Sequence, residues 1–249
     1  MRQTIVVTDL TQMPYPYENR ACVVGITETG ECIRPVCAGG FLKKYLYIDD
    51  EVAIRPRARI EFDFTAAKVE APHIEDKTFD PYSIISHGFC SDIEWEQVLK
   101  NSSYSKVEDI YDGFLQDRKW VKPGAKTRSI ATLSRATALS VRLPEWNGKL
   151  SYRLSFRDGT GNVFDCPVSD LTFRELCYKE VKGMSRSRLT VNSELTELLR
   201  SANRVYLRLG LARPWTQPGL SEARCYLQVT GIHTFPDYLQ GKTFADFLP

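Results

Sequence analysis

The chain has no run of 18 or more apolar residues, and its opening, MRQTIVVTDL, leaves an apolar stretch of three residues at Thr8 and Asp9. A spanning helix needs about 20 apolar residues, and a signal peptide needs a longer apolar centre than this. The expectation is therefore a soluble, unsecreted, cytoplasmic protein that makes no use of a membrane. A CxxC pair is also missing. The seven cysteines are odd in number and scattered through apolar, strand-like surroundings, as reduced thiols are. The closest pair, Cys32 and Cys37, has neither a second pair nor a histidine at ligand spacing, so no structural metal is expected.

Catalytic signatures are absent as well: there is no GxSxG, no Walker loop and no GxGxxG. Gly39-Gly40 reads as an ordinary loop pair, and Gly159 to Gly161 as a hairpin turn. Cys90 lies near His87, but no third group is in view to position them. The richest polar cluster is His73, Glu75, Asp76 and Asp80, with Asp63 upstream. Carboxylates with an imidazole can hold a divalent metal and hydrolyse a phosphodiester. The spacing fits no known ligand motif, however, and loop acids commonly cap helices or face water. The sequence is expected to carry no enzyme activity, no cofactor and no metal, with a metal-dependent nuclease on that cluster as a lesser alternative.

What the chain does have is length and patterning. With 249 residues, 43% of them hydrophobic, it can bury one large core or two ordinary ones. Its net charge of +2 conceals a division. Residues 1–117 hold 12 Lys and Arg against 20 Asp and Glu, a net −8, whereas residues 118–249 hold 21 against 11, a net +10. Such a split marks the second half for an anionic partner, or sets the two halves to complement each other across an internal interface. The run 118–142 carries seven basic residues and no acidic one, with Pro123 and Gly124 as punctuation. A domain boundary is expected just before it, giving an acidic domain 1–117 and a basic domain 118–249 joined by a linker.

Residues 21–36 read as a hairpin around Gly30, and residues 58–69 as a half-buried strand that alternates Ile60, Phe62 and Phe64 with acids. Ser91 and Glu94 form a capping box for a helix over 91–102. In the second half, residues 150–168 make a hairpin about the turn DGTG, and helices are expected over 169–181 and 192–202. Two further strands follow in VYLRLGLARPW and CYLQVTGIHTF. Each half thus offers about five short strands with an inserted helix. The fold class is mainly β with inserted helices, as two OB-like Greek-key barrels, with one continuous β-sandwich as the alternative.

The entry hairpin CVVGITETGECIRPV, PHIED at Pro72 to Asp76, TRSIATL at Thr127 to Leu133, LRLGLARPW at Leu207 to Trp215 and LQVTGIHTFPDYL at Leu227 to Leu239 resemble the dual OB-fold domain family. That is a prokaryotic group associated with conflict and phage-defence loci. Where the family's second domain often opens on Ser-Leu-Gly, this chain has Ser129-Ile130-Ala131. The resemblance implies two OB-like barrels and a nucleic-acid-binding or sensing role in antiviral defence, and it assigns no site residues.

OB-folds bind oligonucleotides on the face of strands 2 and 3, with basic residues on phosphates and aromatic rings under bases. By strand period, an inward set of Val205, Leu207, Leu209 and Leu211 turns Tyr206 and Arg208 outward, and inward Leu227 and Val229 turn Tyr226 and Gln228 outward. With Arg153 and Arg157 on the hairpin and Lys126 and Arg128 in the basic run, these residues make the expected nucleic-acid site. The competing possibility is that both tyrosines pack under the helices and Arg208 pairs with a carboxylate such as Glu222. The expected function is non-catalytic binding of DNA or RNA as a sensor or targeting subunit, beside an effector protein from a neighbouring gene. A protein-interaction adaptor is the alternative.

Overall fold

The structure, a computed structural model, describes residues 1–14, 16–67 and 70–248. In the first half β1 (Arg2–Gln12), β2 (Arg20–Ile26) and β3 (Cys32–Val36) form an antiparallel meander. Strand β4 (Ala58–Ala67) pairs antiparallel with β1, placing Ile60 opposite Ile5; residues 68 and 69 of the strand expected over 58–69 lie outside the described residues. Strand β5 (Asp76–Phe79) pairs with β4 and runs parallel to β3, with Pro35 opposite Lys77. The ring β1-β2-β3-β5-β4-β1 therefore closes. The alternation of β4 puts Ile60, Phe62 and Phe64 inside it with Ile5, Val23 and Ile33. Outside the ring, edge strand β6 (Ile85–Phe89) pairs with β4. Helix α1 (Asp92–Asn101) then begins at the expected capping box of Ser91 and Glu94.

In the second half, α2 (Val107–Ile110) and β7 (Trp120–Val121) precede β8 (Ile130–Leu133) and β9 (Thr137–Arg142). The last two are one strand broken at Ser134 to Ala136, where Arg135 takes a φ of 65°. Strand β9 continues into the sheet β9-β10-β11, with β10 (Arg153–Arg157) and β11 (Val163–Pro167) forming the expected hairpin. Helices α3 (Leu171–Tyr178) and α4 (Arg188–Ser201) follow, the second starting four residues before the sequence pattern places it. Then β12 (Arg204–Leu211) pairs with β8, and β13 (Cys225–Phe235) pairs with β12. A parallel bridge between Val168 and Val229 joins β11 to β13. The strand order is again first, second, third, fifth, fourth, with the helices inserted between the third and fourth strands. Both halves are thus OB-like Greek-key barrels, the first closed and the second partly open, and the chain is mainly β. No helix among the described residues is long and apolar enough to cross a membrane.

The segment around residue 117 is tied into the second barrel. Val107, Ile110 and Tyr111 share a core with Leu154, Phe156 and Leu207. Trp120 and Val121 pair with Tyr226 and Cys225, and the Lys119 carbonyl accepts from the Leu227 N–H at 2.8 Å. The change of composition at 117/118 accordingly falls inside a packed segment.

Two β-bulges meet where the barrels touch. In β1 the register with β2 shifts between Val7 and Asp9, so Thr8 is an extra residue. In β13 the register with β12 shifts between Arg208 and Leu209, so Thr230 is extra. A bulge re-aims the side chains beside it. Here Asp9 accepts from Arg208 Nε at 2.7 Å and from the Thr8 and Thr230 hydroxyls, while Arg208 Nη1 donates to Thr132 Oγ1 at 2.9 Å. The Thr8 carbonyl takes a hydrogen bond from His233 Nε2 at 2.9 Å, which fixes the proton on that nitrogen. Further along, Asp76 sits between Arg34 and Arg213, and both oxygens of Glu75 accept from Ser129. Part of the opposition in charge between the halves is therefore internal. Gly231 has no room for a side chain: a Cβ there would lie 2.9 Å from His233 Nε2 and 3.2 Å from both the Thr8 carbonyl and an Arg208 methylene. Gly231→Ala is expected to lower stability by about 1 to 3 kcal/mol through overpacking. An unchanged melting temperature would mean that the packing around Gly231 accommodates a methyl group.

Candidate nucleic-acid interface

The hairpin β10–β11 and strand β9 carry a polar outer face because their inner positions go to the core. Leu139, Val141, Leu154, Phe156, Phe164 and Cys166 point inward, and the intervening residues face out. Register aligns them in three rows: Arg142, Arg153 and Pro167; Ser140, Ser155 and Asp165; Thr137, Arg157 and Val163. Arg153 grips Asp165 through Nε at 3.0 Å and Nη2 at 2.8 Å, and Arg142 reaches the same carboxylate at 2.7 Å. Burial pushes the Asp165 carboxyl up, but hydrogen bonds from Arg153, Arg142 and Ser155 outweigh it and bring it down to about 2. Two guanidinium groups thus share one negative charge. Arg157 is exposed and has no ion-pair partner among the described residues. The face has a net positive charge and free N–H groups.

Two loops flank the strands of this barrel. Between β9 and β10, Glu145–Trp146 and Lys149–Leu150 form a small hairpin about Asn147 and Gly148, and its Trp146 is 80% exposed. Between β12 and β13 the loop 212–224 is closed by paired backbone hydrogen bonds of Trp215 with Arg224, each 3.0 Å. Trp215, 54% exposed, lies 6.0 Å from the Tyr226 ring, whose hydroxyl donates to Gln217 at 3.3 Å. Arg224 covers the Trp120 ring at 4.1 Å. The result is an ordered, exposed aromatic surface with a cation beside it.

Of the eight residues expected at the site, Arg153, Arg157 and Tyr226 lie on these surfaces. Lys126 is exposed; Arg128 is half-buried, paired with Asp112 at 3.5 Å and stacked over Tyr104. Gln228 is half-buried opposite Gly210. Tyr206 and Arg208 are elsewhere. Arg208 is 1% exposed against Asp9, and Tyr206 is buried with Val6, Trp95 and Leu99. Their strand face does point away from their own barrel core, as the period requires, but the first barrel covers it. The arginine's partner is Asp9 and not Glu222. Periodicity does not single out Trp146, Trp215 or Arg142. A tryptophan inside a loop rich in Pro, Gly and Asn, as in PEWNGK and RPWTQPG, is the available signal, since such a loop has no core of its own in which to bury the ring.

In the acidic cluster of the first half Glu75 and Asp76 are engaged internally, whereas Asp80 is exposed and accepts from the Tyr82 N–H and Asp63 pairs with the N-terminal amine. Among the described residues, no group of three or more His, Cys, Asp or Glu is placed to hold a metal ion. Glu75 and Asp76 are held as described above. His73 is buried near Arg34 and Arg213, its ring nitrogens lack well-aligned partners, and the Ala212 backbone is close by. Between the barrels a cleft of about 360 Å³ is lined by residues that include Trp95, Asp170 and His233. No family model matches the chain, and no curated protein matches it.

Proposed function

We propose that the second barrel binds single-stranded nucleic acid and carries out no chemistry on it. The observation that supports this is the pairing of the arginine rows on strands β9 to β11 with exposed Trp146 and Trp215 on the two flanking loops. OB-folds use this strand face and these loops for oligonucleotides, with cations along the backbone and rings under bases. Together with the resemblance to the dual OB-fold domain family, this supports reading the protein as a cytoplasmic sensor or targeting subunit of a prokaryotic defence system, acting beside an effector on another chain. A second reading, a protein-interaction adaptor, has one observation in its favour: β6 is an edge strand with Ile85 and Phe89 exposed, and Tyr82 and Ile93 beside it are more than four-fifths exposed.

The test is binding of single-stranded oligonucleotides over a salt series. Arg142→Ala, Arg153→Ala and Arg157→Ala should each weaken binding and flatten the slope of log K against log salt by about 0.7 for each phosphate no longer neutralised. Trp146→Ala and Trp215→Ala should weaken binding by about 1 to 3 kcal/mol per stacked base and leave the slope unchanged. Arg157, Trp146 and Trp215 are exposed, so melting temperatures of those three variants should hold, whereas Arg142→Ala and Arg153→Ala remove partners of Asp165 and are read with their stability measured alongside. Wild-type affinity in every variant would move the function to the adaptor reading.

A further inference from the structure

The loop 212–224, which presents Trp215, leaves the second barrel after Leu211, yet its first two residues rest on the first barrel. Arg213 Nη2 donates to Asp76 Oδ2 at 2.6 Å, and the Ala212 backbone lies beside the buried His73 ring. Asp76 is a firm anchor. It opens β5 opposite Arg34 of β3, is 1% exposed, and gives its other oxygen to Arg34 at 2.6 Å. The loop is also fastened to its own barrel: the Ala212 N–H donates to the Tyr226 carbonyl at 2.8 Å, and Trp215 exchanges backbone hydrogen bonds with Arg224. Trp215 therefore stands two residues from a salt bridge to one barrel and within the backbone ladder of the other.

The setting of the bridge separates its two possible uses. The Arg213 side chain is 48% exposed, and without it Asp76 still has Arg34, so the core of the first barrel does not depend on it. A half-exposed ion pair adds little to overall stability. Its effect is local. The residues between Leu211 and Trp215 have no core of their own, and the bridge removes their freedom to move relative to both barrels. A ring held in place before the ligand arrives avoids the ordering cost that a loose loop incurs on binding.

We propose that Arg213 is a positioning residue for the nucleic-acid interface, its bridge to Asp76 making the first barrel the support on which Trp215 is presented. The inference rests on the proposed stacking role of Trp215. It gives the acidic barrel a part in binding a polyanion without touching it. Ordering of one such side chain and its loop is worth about two- to tenfold in affinity.

The experiment is a double-mutant cycle on Arg213 and Trp215, read by the binding of oligothymidine of about twelve nucleotides over a salt series. Arg213→Ala should lower the affinity about two- to tenfold and leave the slope of log K against log salt unchanged, because no phosphate contact is lost. In a Trp215→Ala background the same substitution should have no further effect. A stability loss caused by Arg213→Ala enters both arms of the cycle and cancels. Three results would overturn the positioning role while leaving Trp215 as a stacking ring. They are wild-type affinity in Arg213→Ala, a loss that persists in full without Trp215, and a slope flattened by about 0.7, which would make Arg213 a phosphate ligand. Wild-type affinity in Trp215→Ala would overturn the stacking role along with it.

Discussion

Arg208→Ala should destabilise the protein by about 3 to 5 kcal/mol, the loss typical of removing one member of a buried ion pair. The two side chains are 1% and 0% exposed, so the Asp9 carboxylate left behind would keep only the Thr8 and Thr230 hydroxyls and could not reach water. Asp9→Leu combined with Arg208→Met should recover most of the loss, because the desolvation cost disappears along with the attraction. Urea unfolding of the three variants measures this directly. An Arg208→Ala protein within about 0.5 kcal/mol of the wild type, the range of an ordinary surface substitution, would mean that the barrels are not docked through this pair. The same variant separates scaffold from binding surface. Its affinity for oligonucleotides should fall only as far as the protein unfolds, with the salt slope intact, in contrast to Arg157→Ala.

Acid should weaken the fold over a defined window. Burial drives His73 down to about 3, with Arg34 and Arg213 adding to the effect, and drives His233 down to about 4 despite the nearby Asp9. Both are therefore neutral in the folded protein, whereas in the unfolded chain they take up protons below about 6.5. Their contribution is full above pH 6.5 and is lost as the pH falls. Asp170 acts in the opposite sense: burial raises it to about 7 against hydrogen bonds from the Phe173 and Ile232 N–H groups, so the folded state holds its proton where the unfolded state does not. Between pH 4 and 6.5 the unfolded chain binds two histidine protons and the folded chain binds one on Asp170. The net of one proton gives a slope of about 1.4 kcal/mol per pH unit, or about 3 kcal/mol across the window. Below it, Asp165 adds a further loss as the pH falls towards 2. Above it, stability declines gently as Asp170 ionises, which places the maximum near pH 6.5 to 7. Unfolding free energies at pH 4.5, 5.5 and 6.5 test this, and His73→Leu should flatten the profile by removing one of the two histidine protons. A stability that is level or rising towards pH 4.5 in the wild type would refute the assignment of buried neutral histidines.

The barrels were legible because they follow local rules. Alternation in ARIEFDF, the capping box of Ser91 and Glu94 and the turn DGTG each fix an element from its own residues, and the fold class follows from the order of such elements. The docking of one barrel on the other obeys no period. Arg208 and Tyr206 occupy positions that alternation assigns to an outer face; what covers that face comes from the other end of the chain, at a bulge that alternation does not encode. A buried arginine and a phosphate-binding arginine look the same in a strand until a carboxylate nearly 200 residues distant is placed beside one of them. The candidate site divides on the same line. Arg153, Arg157 and Tyr226 were within reach of strand period, whereas Trp146 and Trp215 sit in loops, where period says nothing and the informative feature is a large ring among turn residues.

The pair Asp9 and Arg208 is separated by 199 residues of sequence. A ribosome adds about 5 to 20 residues per second, so Asp9 emerges roughly 10 to 40 seconds before the arginine that neutralises it. The strands of the first barrel are complete by Phe79, although its core also takes Leu171 and Phe244 from later in the chain. Its flank at Thr8 and Asp9 is then a hydrated surface for as long as the remainder of the chain is being made. Docking through this pair therefore waits for residue 208, and until then the flank at Thr8 and Asp9 lacks the arginine that neutralises it.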